Sequence, residues 1–280
     1  MARVTARASA LPAPAHDSTC LVTGASSGIG AEIARQLAAR GLGVTVVARR
    51  ADRLRSLADS LASTFGVRTE ALAADLSSPD GRASVVDSLS SLGLRVDVLV
   101  NNAGVGTFGP VASASASAEV GIVRVDVEAV VDLCTRFLPG MVERGSGAIL
   151  NVASTAAYQP MPGQACYAAA KAFVLSYSQA LRAEVRGAGV TVTTLCPGPV
   201  ETEFASANGL DIQLAKDTVP RSTWVPASRV AFAGVEGLAR GQAEIVPGLT
   251  NRIGTLAGRL TPRRVLLPAL ARLHPSLRSS

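Results

Sequence analysis

Histidine is nearly absent from this sequence: the 280 residues contain two, His16 and His274, near opposite ends of the chain. A Ser-His-Asp hydrolase needs a histidine beside its nucleophile, so that class is not favoured.

Cysteine is also scarce, and no C-x-x-C pair occurs. The wide spacing predicts neither a disulfide framework nor a metal site and is typical of a reduced, cytoplasmic protein. The four cysteines are Cys20, Cys134, Cys166 and Cys196.

Long apolar runs and aromatic residues are few as well. No uninterrupted apolar stretch reaches the ~18 residues of a membrane-spanning helix, so an integral membrane protein is not expected.

Eight of the 27 basic residues lie in the acid-free ends 1–16 and 251–280, whereas all 21 acidic residues lie between them. The central segment is therefore nearly balanced in charge, and with 4% aromatics it does not favour nucleic acid as a partner.

Short β-branched runs alternate with helical stretches from Thr19 onward, a pattern typical of an α/β protein whose parallel sheet is covered on both faces. We expect one domain over residues 17–250, preceded by a flexible segment at 1–16 and followed by a basic extension at 251–280. The predicted strands are Cys20–Thr23, Val44–Val47, Val67–Leu72, Val96–Val100, Ala148–Val152, Val190–Leu195 and Glu244–Val246. The predicted helices are Ile29–Arg40, Ala51–Thr64, Gly81–Leu92, Ala118–Arg144, Gln164–Arg186 and Ser228–Arg240.

A glycine-rich turn joins the first predicted strand to the first helix. It reads Thr23-Gly24-Ala25-Ser26-Ser27-Gly28-Ile29-Gly30. Glycines here permit a tight turn, let backbone N–H groups approach a pyrophosphate, and bring the helix close to the sheet. A glycine triplet alone is weak evidence, but its place between strand and helix favours a dinucleotide site over a plain turn.

The spacing G-x-x-x-G-x-G resembles the classical short-chain dehydrogenase/reductase family, and further motifs extend the resemblance over most of residues 19–250. They are Asp75-Leu76, Asn101-Asn102-Ala103-Gly104, Ser154 with Tyr167-x-x-x-Lys171, and Pro197-Gly198-Pro199-Val200-Glu201-Thr202. The resemblance implies a Rossmann fold with a doubly wound, seven-stranded parallel sheet of order 3-2-1-4-5-6-7. It also implies a nicotinamide cofactor and a homodimer or homotetramer built through the helices 118–144 and 164–186, where Ala168, Ala169 and Ala172 permit close approach.

The resemblance further implies which positions contact the cofactor. The expected set is Gly24, Ser26, Ser27, Ile29, Arg49, Asp75, Leu76, Asn102, Ala103, Gly104, Tyr167, Lys171, Pro197, Gly198, Val200 and Thr202.

Tyr167 and Lys171 are four residues apart and therefore lie on one face of a helix. An ammonium beside a phenol favours phenolate and lowers its pKa toward neutrality, which predicts Tyr167 as the general acid or base for a carbonyl or alcohol substrate. Ser154 would hydrogen-bond the substrate oxygen and stabilise its developing charge. The resemblance implies that Lys171 also holds the nicotinamide ribose.

One position departs from the family pattern. When the sequences are aligned on Leu138-Pro139-Gly140-Met141, the family's catalytic asparagine falls on Asp126. A carboxylate there would hold Lys171 protonated and weaken its pull on the Tyr167 proton. We expect retuned catalysis; the alternative is a non-catalytic, nucleotide-binding regulator or scaffold.

The second predicted strand is followed by Arg49-Arg50 rather than by an acid. An acid at this point selects NAD through the ribose hydroxyls, whereas a guanidinium can bind the 2′-phosphate of NADP. The expected cofactor is NADPH, with NAD less favoured, and by resemblance Arg49 occupies the selecting position, with Arg50 as its helper. The alternative is a solvated arginine pair that opens a helix.

Residues 199–225 correspond to the family's substrate lid. Apolar side chains there and beside the site favour a hydrophobic small-molecule carbonyl or alcohol, although the same side chains could serve only for packing. They are Phe204, Leu210, Ile212, Leu214 and Trp224 in the lid, and Tyr158, Pro160 and Met161 outside it.

The C-terminal extension repeats leucine at helical spacing among arginines, at Leu266, Leu270, Leu273 and Leu277. Such a basic amphipathic segment can pack within an oligomer, cover the substrate entrance, lie on an anionic membrane surface, or remain disordered. A membrane contact would favour lipid-derived ketones as substrates. Pro268 and Pro275 predict short helical pieces, because proline interrupts a helix.

Overall fold

A computed structural model describes residues 9–208, Gln213 and residues 219–273. In this part of the chain seven parallel strands form one sheet of order β3-β2-β1-β4-β5-β6-β7. The predicted fold class and strand order are therefore confirmed. The strands are β1 (Ser18–Thr23), β2 (Val44–Ala48), β3 (Thr69–Ala73), β4 (Arg95–Asn101), β5 (Gly147–Val152), β6 (Val190–Leu195) and β7 (Glu244–Ile245).

Helices cover both faces of the sheet, so the strands β1, β2, β4 and β5 are buried as their apolar runs predict, whereas the edge strand β3 is only partly buried. The described helices are α1 (Gly28–Ala38), α2 (Ala51–Phe65), α3 (Pro79–Ser91), α4 (Ala116–Ile122), α5 (Ala129–Glu143), α6 (Ala165–Glu184), α7 (Glu203–Ala207), α8 (Ala227–Ala239), α9 (Leu249–Leu260) and α10 (Arg263–Leu273). Single turns of 3₁₀-helix lie at Val111–Ser113, Thr155–Tyr158 and Arg221–Thr223.

Two hydrophobic cores lie on opposite faces of the sheet. One contains Ile33, Leu54 and Val230 from α1, α2 and α8. The other contains Leu89, Leu133 and Val174, which come from α3, α5 and α6. Because all strands are parallel, the segments that follow β1, β4 and β5 emerge at the same edge of the sheet, where ligands bind in folds of this type.

The predicted long helix 118–144 is interrupted in the structure. A π-helical segment, Val123–Glu128, separates α4 from α5. A π-helical segment adds a residue to the turn and so changes which side chains face inward, and such segments are frequent at functional sites. Its buried residue is Asp126. Hydrophobic periodicity does not detect this insertion because the residues on both sides remain helical.

Both ends of the chain differ from expectation. The backbone N–H of Ala10 donates to the carbonyl of Ala239 at 2.7 Å, and Leu11 packs on the first core, although residues 1–16 were expected outside the fold. The C-terminal extension forms two short helices as expected, but they are separated at Thr261 and Pro262. The expected break at Pro268 is wrong, since this residue lies inside α10. On an exposed helix, water can satisfy the carbonyl that a proline leaves without its donor. Pro275 and Leu277 lie outside the described residues.

The four cysteines are free, and three of them are buried. Among residues 9–208, 213 and 219–273, no three side chains of His, Cys, Asp or Glu are grouped as a metal site. No helix in the same ranges is long and apolar enough to cross a membrane.

Candidate active site

The turn between β1 and α1 contains two glycines in left-handed backbone conformation, Gly24 with φ 65° and Gly28 with φ 58°. A side chain at Gly24 would be strained, and its Cβ would also lie 2.7 Å from the Cα of Ala103. The Thr23 hydroxyl accepts hydrogen bonds of 3.0 Å from the backbone N–H groups of Asn102 and Ala103. The Asn102 side-chain amide donates to the Thr23 carbonyl at 2.9 Å. These bonds hold the end of β4 against the glycine turn.

Arg50 reaches from the end of β2 to the serines of the glycine turn. Its Nη2 lies 2.8 Å from Oγ of Ser26 and 3.0 Å from Oγ of Ser27, and its Nη1 lies 2.7 Å from Glu203 on α7. Arg53 binds the same carboxylate at 2.6 Å. Hydrogen bonds from Arg53 and Arg50 lower the pKa of Glu203 to about 2. An ion cluster thus joins the glycine turn to α7.

Arg49 and Asp75 face the same exposed region next to this cluster. The backbone N–H of Ser77 donates to Asp75 Oδ1 at 2.9 Å. That bond, with a smaller contribution from the Arg49 charge, lowers the pKa of Asp75. Leu76 is buried, and its carbonyl accepts a 3.0 Å hydrogen bond from the buried Arg82. The sequence predicted Arg49 as the selecting residue and Arg50 as its helper, and in the structure Arg50 contacts the serines of the turn.

The segment after β6 lies across the glycine turn. A Cβ at Gly28 would lie 3.0 Å from the methyl group of Thr202, so the two residues approach closely. Val200 packs on the first core, as does Ile29 from the turn. Gly198 lies against the side chain of Asn251, which leaves no room for a Cβ. The P-G-x-x-x-T segment and the glycine turn therefore form one surface.

Ser154, Tyr167 and Lys171 converge at the carboxyl end of β5. Lys171 Nζ lies 5.6 Å from the centre of the Tyr167 ring and donates to the Val152 carbonyl at 3.1 Å. Ser154 follows β5 directly, and its hydroxyl donates to the Pro197 carbonyl at 3.4 Å. The structure thus brings together three of the four side chains that were expected at the catalytic site from the sequence; the fourth is Asp126.

Asp126 joins this group through a buried ion pair. Its Oδ2 lies 2.9 Å from Lys171 Nζ, and its Oδ1 accepts a 2.8 Å hydrogen bond from the backbone N–H of Val105. A Cβ at Gly104 would lie 3.2 Å from Asp126 Oδ2, so this glycine leaves space for the pair. Burial acts to lower the pKa of Lys171, but Asp126 and then Tyr167 outweigh it, and the pKa lies above its usual range.

The expected lowering of the Tyr167 pKa toward neutrality is wrong in this structure. Burial raises the pKa of the phenol above its usual range because the phenolate loses its hydration. Lys171 and a hydrogen bond with Ser154 act to lower the pKa, while the Asp126 carboxylate adds to the rise. Lys171 can be recognised in the sequence, whereas the burial of the Tyr167 phenol cannot.

The ring of Tyr167 is bordered by the ring of Phe204 and by the loop that contains Gly106. The rings of Tyr167 and Phe204 are 5.7 Å apart and tilted by 47°. Asn208 accepts a 2.8 Å hydrogen bond from the Gly106 backbone. A cleft of about 260 Å³ next to Asn208 is lined by Thr107, Phe108, Gly109, Pro110, Ser113, Ala114 and Ser115.

Other apolar residues expected near the substrate lie elsewhere. Pro160 and Met161 line a cleft of about 370 Å³ on the alanine-rich face of α6, closed by Arg263 and Leu267 of α10. This face is not the one that carries Tyr167 and Lys171, because the alanines occupy other positions of the helical turn. Tyr158 is buried under Arg259. Leu210, Ile212 and Leu214 lie outside the described residues.

Two contacts at the site were not predicted from the sequence. Glu203 is about 150 residues from its partners Arg50 and Arg53, and the side chain of Asn208 reaches Gly106 from the lid. The available signal was an acid directly after Thr202, where the P-G-x-x-x-T segment leads into a helix.

The family model for short chain dehydrogenases matches residues 18–212. The chain is 32% identical over 256 residues to an uncharacterized oxidoreductase of Myxococcus xanthus, which covers 91% of this chain and 97% of that protein. It is 35% identical over 216 residues to the very-long-chain 3-oxoacyl-CoA reductase of Bos taurus, over 76% of this chain and 65% of that enzyme. Its structure is similar to the short-chain dehydrogenase of Sphingobium yanoikuyae in complex with NADPH, with a TM-score of 0.77, 34% identity, and coverage of 90% of this chain and 95% of that one. The chain belongs to the short-chain dehydrogenase family, and is thus an oxidoreductase of that family built on the Rossmann fold.

Proposed function

We propose that the protein interconverts a carbonyl and an alcohol on a hydrophobic small molecule, with NADP(H) as cofactor and Tyr167 as general acid or base. The observation that carries this proposal is the meeting of Ser154, Tyr167 and Lys171 beside the glycine turn. The left-handed Gly24 and Gly28, and the absence of side chains where the turn approaches Ala103 and Thr202, fit a bound pyrophosphate.

The nicotinamide, when bound, supplies or accepts the hydride, and the protein's own residues manage the proton. Tyr167 would donate its phenolic proton to the substrate oxygen during reduction and remove it during oxidation. Ser154 would hydrogen-bond the same oxygen and stabilise its charge. Lys171, held by Asp126 and the Val152 carbonyl, would provide a fixed positive charge and a donor for the ribose.

NADPH is proposed over NADH because cations, not acids, lie at the end of β2. Arg49 is exposed there, and Arg50 lies on the serines of the glycine turn. A 2′-phosphate would meet two guanidinium groups and the hydroxyl of Ser26. Glu203 occupies both Arg50 and Arg53, so we propose that the phosphate competes with this carboxylate. The NADPH bound to the Sphingobium yanoikuyae relative supports the same choice.

A hydrophobic substrate is proposed from the apolar border of the site. Phe204 contacts the Tyr167 ring and begins the lid, which we place at residues 199–225. The name of the bovine relative, a very-long-chain 3-oxoacyl-CoA reductase, supports a ketone on an acyl chain as one substrate class.

A homodimer or homotetramer is proposed through α4, α5 and α6. The exposed side chains of Val120, Val123 and Phe173 lie on or next to these helices and favour a partner surface. The alanine-rich face of α6 is partly covered by α10 of the same chain, which narrows the surface left for a partner.

The experiment is NADPH and NADH oxidation against a panel of aliphatic, aromatic and acyl-chain ketones and aldehydes. We expect turnover with an apolar carbonyl and a higher kcat/KM with NADPH. Tight NADPH binding without turnover across the panel, unchanged by replacing Tyr167, would instead favour the non-catalytic regulator or scaffold. Absence of cofactor binding would contradict both.

A further inference from the structure

Helix α9 presents its hydrophobic side to solvent. Leu249, Ile253, Leu256 and Leu260 are 73%, 62%, 57% and 74% exposed. With about 100° between successive residues, these four side chains lie within about 60° of arc and form one continuous stripe. A surface helix of a globular protein normally turns such a stripe toward the core. The orientation of α9 is therefore the reverse of the usual one.

The side of α9 that faces the protein is small and polar. Its buried residues are Asn251, Thr255 and Gly258. The Asn251 amide donates to the carbonyls of Thr223 at 3.0 Å and Pro247 at 2.9 Å. These bonds satisfy a buried polar side chain that any rotation of the helix would leave without partners. The outward stripe is thus fixed by specific contacts.

Gly258 fixes the same orientation through close packing. A Cβ at this position would lie 2.7 Å from the side-chain oxygen of Gln159, which directly follows the turn Thr155–Tyr158. Next to it, the Arg259 guanidinium lies 4.5 Å from the centre of the Tyr158 ring. Helix α9 is therefore held against Gln159 and the buried Tyr158.

The charged side chains in the segment that carries the stripe are all basic. Residues 245–280 contain no acid and six arginines. Arg252 and Arg259 border the stripe on one flank. The Nη2 of Arg259 forms an ion pair with Oε2 of Glu244 at 3.3 Å. Arg264 and Val265, both exposed, continue the basic and apolar surface onto α10.

We propose that α9 docks on the surface of an anionic lipid bilayer. The four large side chains would enter the interface, while the arginines remain among the negatively charged headgroups. The contact is peripheral, since no described helix is long and apolar enough to span a membrane. The surface is separate from the Tyr167 site, so the proposal does not depend on the proposed function.

A second copy of this chain fits the stripe less well than an anionic surface does. A two-fold interface sets a patch against itself, so arginines at the edge of one stripe would face those of the other. Residues 245–280 contain no acid to pair with them, and Glu244 is already engaged by Arg259. Negative charge must therefore come from the partner, as it does in an anionic bilayer.

The test is flotation of the full chain with phosphatidylcholine vesicles, with and without phosphatidylglycerol. We expect the protein to float only with the anionic vesicles. Replacing Ile253 and Leu256 together by Gln should weaken this binding at least about tenfold, since withdrawing one large apolar side chain is worth about that factor. Arg252→Gln with Arg264→Gln should reduce binding to the anionic vesicles and make it less sensitive to salt. The matched control is Phe232→Gln, which removes an exposed aromatic ring from α8 and should leave binding unchanged.

Three results would overturn the proposal. They are failure of the unmodified protein to float, equal flotation of the Ile253/Leu256 variant, and a fall in the solution mass of that variant without any vesicle binding. The last result would assign the stripe to an interface between copies of the chain. Each variant is also assayed for NADPH oxidation and thermal unfolding. Unchanged values show that a loss of flotation comes from the surface, and an inactive but floating protein separates this proposal from the proposed function.

Discussion

The carboxylate Oδ2 of Asp126 lies 2.9 Å from the Nζ of Lys171, and both side chains are buried. The pair sits where the π-helical segment faces the end of β5. It gives Lys171 a fixed partner, and it places a negative charge near the phenol of Tyr167, the proposed general acid or base. Charge on Lys171 favours the Tyr167 phenolate, while charge on Asp126 opposes it. Under the proposed function, the balance of these two charges sets the pH range in which Tyr167 can donate its proton.

Replacing Asp126 by Asn should lower the pKa of Tyr167, because the neutral amide no longer opposes the phenolate. Reduction needs the phenol protonated and is lost as pH rises through its pKa. The basic limb of the pH–kcat profile for reduction should therefore move to lower pH. The measurement is that profile with a saturating carbonyl substrate.

The control for this change is Glu143→Gln, which removes one carboxylate from the exposed end of α5. It should leave the profile in place. A profile of Asp126→Asn that coincides with that of the unmodified enzyme would contradict the role given to the carboxylate. The variant should also be about 3 kcal/mol less stable in denaturant, since it leaves a buried ammonium without its counter-ion.

Replacing Glu203 by Gln should tighten NADPH binding and leave NADH binding unchanged. The Glu203 carboxylate forms ion pairs with Arg50 and Arg53. Without it, both guanidinium groups could bind a 2′-phosphate. The measurement is the Kd of each cofactor at low and high salt. Asp52→Asn is the control, because Asp52 lies on α2, the helix that carries Arg53, but forms its ion pair with Arg55 instead. Weaker NADPH binding by Glu203→Gln would show that the carboxylate helps to position the arginines.

Replacing Arg49 by Ala should raise the Kd for NADPH by about tenfold to a hundredfold, the usual worth of a hydrogen bond to a charged group. The Kd for NADH should stay within experimental error. Arg55→Ala, an exposed arginine on the neighbouring helix, is the matched control. An equal rise in Kd for NADPH and NADH would show that Arg49 attracts both anionic cofactors and does not select NADPH by its 2′-phosphate.

Replacing Gly24 by Ala should abolish cofactor binding and destabilise the fold by more than the same change at Gly41. Both glycines have positive φ, but a Cβ at Gly41 meets nothing within 4 Å, while one at Gly24 meets the backbone of Ala103. Gly41→Ala should therefore cost only the backbone strain of about 1 kcal/mol. Denaturant unfolding and NADPH titration of the two variants separate strain from steric conflict.

The fold could be predicted well from the sequence because its signals are local. Most strands contain β-branched runs, and the motifs after β1, β4 and β5 occur at family spacing. The meeting of Ser154, Tyr167 and Lys171 follows from that spacing as well. These features depend on residues that are close in the sequence or fixed by the sheet order.

The remaining features depend on tertiary contacts. The ion pair of Arg50 with Glu203 joins residues 153 apart, and no periodicity records it. The raised pKa of Tyr167 follows from burial, which a Tyr-x-x-x-Lys motif does not contain. The outward stripe of α9 has an ordinary amphipathic pattern in the sequence, and only its contacts through Asn251 show which side faces the protein.

The most direct test of Tyr167 as the proton donor is the variant Tyr167→Phe, which removes one oxygen atom and keeps the ring against Phe204. We predict that kcat for NADPH-dependent carbonyl reduction falls by about a hundredfold or more, the usual contribution of a general acid, while the Kd for NADPH stays the same. Turnover close to that of the unmodified enzyme, with NADPH still bound, would contradict the assignment of the proton-transfer step to Tyr167.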